Sequence, residues 1–177
     1  MVDFFVVESA PRFDFGLERA RSDDFDSNLS PVFDRRIDTF SKRIIDHSCL
    51  IYRADGKSVV SYFWISEPGS VVPLTPWLQL CVPDGYAYIW DCKTDESARG
   101  QGHYTNGLKE IVGSHPRCLI AVEGNPAARK AVERAGFTHS HTVDTRNLGP
   151  VTLVDRRIVA TGATLLVDLP TAGAKAR

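Results

Sequence analysis

Arg99-Gly-Gln-Gly-His-Tyr104 is a glycine turn set between a strand and a helix. Before it runs Tyr86-Ala-Tyr-Ile-Trp-Asp-Cys-Lys-Thr94, rich in aromatic and β-branched residues and read as a strand. After it, Leu108, Ile111 and Val112 succeed Tyr104 at i+4, i+7 and i+8, the apolar stripe of an amphipathic helix. Two glycines just ahead of a helix let the backbone come close to a ligand. The first N–H groups of that helix have no intrahelical acceptor, and they coincide with the positive end of the helix dipole. Such a place suits phosphate oxygens. An ordinary helix-entry turn carries the same glycines, so residues 117–137 decide between the two.

Those residues hold a second strand and a second helix. Arg117-Cys-Leu-Ile-Ala-Val-Glu123 is a short apolar strand. Asn125-Pro-Ala-Ala-Arg-Lys-Ala-Val-Glu-Arg-Ala-Gly-Phe137 then has an N-cap asparagine, proline at the first helical position and Gly136 suited to the left-handed residue beyond the last turn. Ala128, Val132 and Ala135 form its inward face, while Arg129, Lys130, Glu133 and Arg134 face solvent. On these residues the sequence resembles the GNAT superfamily of acyl-CoA-dependent N-acetyltransferases. Their signature is Arg/Gln-x-x-Gly-x-Gly/Ala after the fourth strand, then an Asn-led helix ending in Gly-Phe. Here those elements are Arg99-x-x-Gly102 and residues 125–137, about the middle third of the chain.

The resemblance implies an α/β (α+β) fold: a central mixed, mostly antiparallel twisted sheet flanked by helices and splayed between the fourth and fifth strands. It implies acetyl-CoA as co-substrate, without a metal, and direct attack by the primary amine of a small-molecule or peptide acceptor. Position by position, it sets the pantetheine along the strand backbone at Cys92, Lys93 and Thr94. The pyrophosphate falls on the N–H groups of Gly100, Gln101, Gly102, His103 and Tyr104, with Arg99 at the family's Arg/Gln position. Asn125 matches an asparagine that caps its helix and reaches the cofactor, and capping alone explains it equally well.

Three departures stand out. Tyr104 occupies a position where the family has Gly or Ala. Sliding the register so that Gly100 and Gly102 fill both glycine slots puts Ser97 in place of the Arg/Gln. Val132 stands where the family commonly has a tyrosine that protonates the departing thiolate, leaving water or another hydroxyl for that task. No carboxylate is marked out as the base. Asp91 on the central strand and Glu123 at the end of the next are the candidates, each able to act through water, and a solvated or ion-paired carboxylate is the alternative for both. Strict alternation sets Asp91 with Ile89 on one face, and Trp90 with Cys92 on the other. Beside the transferase stands a second reading, a CoA-binding or partner-binding module without turnover, and a variant in which a longer acyl chain is moved.

The chain has 177 residues, enough for one domain with a sizeable core, assigned to residues 1–170 with a flexible tail at 171–177. Lysine plus arginine total 21 against 22 acidic residues, so neither nucleic acid nor an anionic membrane is expected as partner. No signal-peptide pattern or membrane-length apolar run is present, and the cytoplasm is the expected location, as monomer or homodimer. Cys49, Cys81, Cys92 and Cys118 lie scattered in apolar strand-like settings, as small hydrophobes rather than a disulfide or zinc framework. His139 and His141 share one side of a strand, but no carboxylate or cysteine accompanies them, so no metal is expected.

Elsewhere, Phe4-Phe-Val-Val7 reads as the first strand, and residues 11–28 as a loop with a helical turn near residues 17–20 and a solvated acidic run at 22–26. In the resemblance this region borders the acceptor pocket. Ser30-Pro31 opens a helix with Phe33, Ile37, Phe40 and Ile44 inward and Arg35, Arg36, Asp38, Lys42 and Arg43 outward. Residues 49–53 and 58–65 flank an Asp55-Gly56 turn as a hairpin, succeeded by proline-broken sequence at 67–76 and a strand at 78–82. Residues 140–143, 150–154 and 157–167 read as further strands.

Overall fold

Apolar runs bounded by glycine and polar turns become strands, and the residues of each run divide between two cores. The computed structural model describes residues 1–8, 10–25, 30–33, 37–75, 78–115, 117–143, 157–160 and 163–166. In chain order the elements are β1 (Val2–Val7), β2 (Glu18–Arg19), α1 (Ile37–Arg43), β3 (Ser48–Arg53), β4 (Val59–Ser66), β5 (Val71–Thr75), β6 (Leu78–Cys81), β7 (Ala87–Thr94), α2 (His103–Ser114), β8 (Cys118–Glu123), α3 (Pro126–Arg134), β9 (Thr138–Val143), β10 (Arg157–Ala160) and β11 (Ala163–Leu166). The main sheet has the order β2-β3-β4-β7-β8-β1-β9, while β5–β6 and β10–β11 form separate pairs. Within the main sheet β7 and β8 run parallel and the other neighbours antiparallel. This is the mixed, mostly antiparallel sheet flanked by helices that the sequence implies.

β1 is not at the start of the meander. It sits between β8 and β9, far across the sheet from β2. Its alternation divides the cores: Phe4 and Val6 pack on one side, Phe5 and Val7 on the other. The first core, under α1, is aromatic. Phe33, Phe40, Tyr62 and Trp64 are all at most 1% exposed, with Phe25 and Trp90 beside them. Buried rings each contribute roughly 1.5–3 kcal/mol through area, and favourable ring pairs add about 0.5–1.5 kcal/mol. The second core lies under α2 and α3, where Leu108, Ile111, Val112, Val132 and Phe137 meet Phe63, Ile89 and Ile120.

Several local expectations change. Residues 18–19 form edge strand β2 against β3 rather than part of a helical turn, because extended backbone there pairs with Leu50 and Ile51. The acidic run is only partly solvated: Asp24 pairs with Arg53 at 2.5 Å and Phe25 is buried. Of the helix expected from Pro31, the described residues show a 3₁₀ turn at Pro31–Phe33 and α1 at Ile37–Arg43. The sequence around Pro73 is strand β5, since a proline is tolerated in a two-stranded edge pair that needs no N–H from it. Val72 and Leu80 anchor that pair in the aromatic core. The β3–β4 connection spans residues 54–58, with Gly56 at φ +71° and the Asp55 carboxylate accepting the N–H groups of Lys57 and Ser58, each at 2.9 Å. Between β1 and β9 the register shifts between Phe4, paired with His141, and Phe5, paired with His139. Asp26, Arg35, Arg36, residues 150–154 and the tail at 171–177 lie outside the described residues. Among those described, no helix is long and apolar enough to cross a membrane.

Candidate functional site

The site starts where β7 stops pairing with β8. The parallel ladder joins Ala87, Tyr88 and Ile89 to Cys118, Leu119 and Ile120 and ends there. On its other edge β7 bulges. Trp90 pairs with Trp64 and Lys93 with Tyr62, so Asp91 and Cys92 together stand opposite Phe63. Asp91 takes up the extra residue at φ +41°, a left-handed conformation costing roughly 1–3 kcal/mol in a side-chain-bearing residue.

The bulge overturns the alternation expected from sequence. Cys92 packs with Ile89 in the core under α2 and α3, whereas Asp91 turns to the α1 side with Trp90 and pairs with Arg43. Arg43 is therefore only partly solvated: its side chain is 25% exposed and its guanidinium lies 4.7 Å from the centre of the Trp90 ring. Burial pushes the Cys92 thiol well above its ordinary 9.0, with the Asp91 charge acting the same way, which leaves it a thiol at neutral pH.

Beyond β7 the Asp95 carboxylate caps a 3₁₀ turn, Glu96–Ala98, accepting from the Ser97 N–H at 3.0 Å. Ser97 is thereby occupied in the turn. Arg99 comes next, exposed and 3.2 Å from Glu96, a surface pair of little energetic weight. Gly100 and Gly102 have φ of +80° and +83°. A Cβ at Gly100 would meet nothing within 4 Å, and one at Gly102 only the Asn106 amide nitrogen at 3.7 Å. The backbone is thus bare towards open space. The Gly102 carbonyl accepts from Asn106 at 2.9 Å and opens α2, leaving the N–H groups of the first turn, from His103 onward, without acceptors in the helix.

The third wall is α3. The Asn125 amide oxygen accepts the Ala128 N–H at 3.0 Å, Pro126 takes the first helical position, and Gly136 closes the helix at φ +100°. Val132 is fully buried. Ala127, Ala131 and Arg134 recur at i, i+4 and i+7 and line the space that β7 and α2 leave open.

Together the three walls enclose a cavity of about 590 Å³. It is lined by nine of the ten residues singled out from sequence for cofactor contact: Cys92, Lys93, Thr94, Arg99, Gly100, Gly102, His103, Tyr104 and Asn125. Gln101 lies outside it, its amide oxygen 3.2 Å from His103 Nε2. Neither Asp91 nor Glu123 lines the cavity; Glu123 ends β8 exposed. The charged lining is cationic, Lys93, Arg99 and Arg134, with no carboxylate among the lining residues. The charge of this lining is complementary to that of a polyanion.

Tyr104 turns inward beside Leu108, its ring 5.9 Å from that of Phe63, and also lines the cavity. Burial raises its hydroxyl well above the ordinary 10.0, so it holds its proton at neutral pH. His103 leans towards Tyr52, 5.1 Å between ring centres, and Tyr52 is stacked on Phe15 at 4.1 Å. Glu110 fixes that arrangement, accepting the N–H of Phe15 at 2.7 Å and of Leu17 at 3.1 Å. Sequence reading passes over the roles of Arg134, Glu110 and Arg43. The i, i+4, i+7 spacing with Ala127 and Ala131 is a legible signal for the first, while the partners of the other two are too distant in sequence to leave one.

Neither a family model nor a curated protein matches the sequence. Among solved structures, a mutant of the BH1408 protein from Bacillus halodurans is similar at a TM-score of 0.50 and 15% identity, over 78% of this chain and 99% of that one. A protein from Agrobacterium tumefaciens str. C58 described as a "putative acetyltransferase" gives 0.49 and 17%, over 73% and 97%. A functionally unknown conserved protein from Staphylococcus epidermidis ATCC 12228 gives 0.48 and 15%, over 78% and 57%. At these identities the likeness is one of fold.

Proposed function

We propose that this chain is an acyl-CoA-dependent N-acyltransferase that moves the acetyl group of acetyl-CoA to a primary amine. The observation that supports it most is the cavity itself, in which the end of β7 that β8 no longer pairs, a bare glycine turn, the open N-terminus of α2 and three cations converge, with no carboxylate among the lining residues. These groups fit a ligand with a pyrophosphate and an extended amide-bearing arm. The backbone of Cys92, Lys93 and Thr94 would hold the arm. The turn from Gly100 through Gln101 and Gly102 to His103 and Tyr104 would hold the phosphates, with Arg99 and Arg134 adding charge and Asn125 bordering the site.

Acetyl-CoA would bring an activated thioester. A C–N bond forms at its carbonyl carbon, the C–S bond breaks, and one amine proton passes in balance to the sulfur. The chain's residues manage that proton. Tyr104, which lines the cavity and holds its proton at neutral pH, would serve as the donor in place of the tyrosine missing at Val132. Asp91 and Glu123 serve as proton acceptors outside the cavity, acting through water. General acid or base help of this kind is worth roughly 10²–10⁴-fold.

A CoA-binding module without turnover is the second reading, favoured by the engagement of Asp91 with Arg43 and by the buried Val132. Calorimetric titration with acetyl-CoA and free CoA tests the site. Binding by the native protein, lost when Gly102→Glu places a carboxylate against the phosphates, supports it, and thiol release with an amine panel then separates enzyme from module. Absence of binding by either ligand removes the cofactor assignment.

A further inference from the structure

The cavity has a polar rim and an apolar floor. Among its lining residues Arg99 and Arg134 are exposed, whereas Cys92, Tyr104 and Ala128 pack against the core under α2 and α3. Of β7, the lining starts at Cys92, and Ile89, Trp90 and Asp91 take no part in it. The bulge is the reason. It turns Asp91 to the α1 side, where it pairs with Arg43, and leaves Cys92 as the innermost residue of the strand at the cavity. Burial raises both the Cys92 thiol and the Tyr104 hydroxyl well above their ordinary values, so neither is charged at neutral pH.

We infer that Tyr104 closes the inner end of the cavity and limits the donor to a short acyl chain, acetyl or propionyl. The inference rests on the proposed use of acyl-CoA. With the phosphates at the glycine turn and the arm running back along Thr94, Lys93 and Cys92, the thioester comes to the floor beside Tyr104. A chain that grows from that point meets the phenol ring.

The ring has nowhere to retreat. Its centre lies 5.9 Å from that of Phe63, with Leu108 in the same core, and Phe63 and Leu108 are both 0% exposed. Phe63 is held in turn from α2: a Cβ at Gly107 would come within 2.3 Å of its ring, so the ring already fills the space that the glycine leaves. Interiors packed to this density do not yield the room of several methylenes without cost. A small residue at position 104 would instead leave the volume of the ring open to a longer chain.

Calorimetric titration with free CoA, acetyl-CoA and hexanoyl-CoA tests the wall. The hexanoyl chain is four methylenes longer, and each methylene buried in an apolar pocket tightens binding about 4-fold, so an open pocket would make hexanoyl-CoA much the tighter ligand. The native protein is expected to bind acetyl-CoA about 10-fold or more tightly than hexanoyl-CoA. Tyr104→Ala is expected to narrow that gap about 10-fold or reverse it. Tyr104→Phe, which keeps the ring and loses the hydroxyl, is expected to leave the gap as it is. That variant separates the wall from the proton donor, because loss of the donor alone slows thiol release without altering the choice of chain. Circular dichroism checks each variant, and should Tyr104→Ala not fold, Tyr104→Leu carries the comparison. The inference is overturned if hexanoyl-CoA binds the native protein as tightly as acetyl-CoA or more so, or if the gap is unchanged in the folded variant with the smaller side chain. Free CoA reads the phosphate and arm site by itself. Its failure to bind removes the cofactor assignment and this inference with it, whereas CoA binding without chain discrimination removes this inference alone.

Discussion

Substituting Gly107 by alanine puts a methyl group into the contact between α2 and β4. An ideal Cβ there would lie 2.3, 2.5 and 3.1 Å from three atoms of the Phe63 ring. The ring is 0% exposed, so although the atoms are at the end of a side chain, there is no empty space for it to swing into. Overpacking of this kind costs about 1–3 kcal/mol, and the closeness of all three contacts points to the upper part of that range. Alanine regains about 1 kcal/mol of helix propensity over glycine. The net is a loss of about 1–2 kcal/mol, which in a domain of this size lowers Tm by roughly 2–8 °C. Urea unfolding should show a lower midpoint with an unchanged slope. Adding Phe63→Leu should restore much of the loss, giving a coupling of about 1 kcal/mol in a double-mutant cycle. Phe63 stands opposite the Asp91–Cys92 bulge and near Tyr104, so acetyl-CoA affinity should fall and recover in parallel. A Gly107→Ala protein as stable as the native one, or more stable, would refute the packing argument.

Glu110→Ala removes the acceptor for the N–H groups of Phe15 and Leu17, bonds to a charged group worth about 1.5–3 kcal/mol each before water replaces part of them. Amide exchange at those two residues should accelerate at least 10-fold while β4 stays protected, and unchanged exchange would mean the segment is held by other contacts. His47 has its pKa lowered chiefly by burial, with Arg43 acting the same way and Asp46 opposing. Its neutral form is favoured in the fold, so this stability is fully present above its ordinary value of 6.5 and is lost as pH falls below it. The slope of unfolding free energy between pH 6.5 and 5 should flatten in His47→Gln, and an unaltered slope would assign the dependence to another group.

Much of the local architecture is legible in the chain because its causes lie within a few residues. The cap of Asn125 on Ala128, the proline at Pro126, the left-handed glycines at 100, 102 and 136, and the apolar stripe of α2 all stem from backbone preferences and helix periodicity. The cavity lining is legible for the same reason, since a strand end, a glycine turn and a helix start are consecutive in sequence. Less legible are the ends of elements and the fate of charges. Pro73 reads as a break and lies in a strand, and Arg43 reads as solvated and lies on Trp90.

The sequence by itself therefore determined the strands and helices on either side of the glycine turn and where that bare, donor-rich turn would stand, because hydrogen bonding and steric preference act over short spans. Tertiary pairing alone decided that β1 lies between β8 and β9, since strand order depends on which distant edge completes the sheet. It also decided that Asp91 and Cys92 face opposite ways to their expected sides. That reversal comes from one residue more on β7 than on β4 between two paired positions, a mismatch between strands that neither strand carries alone.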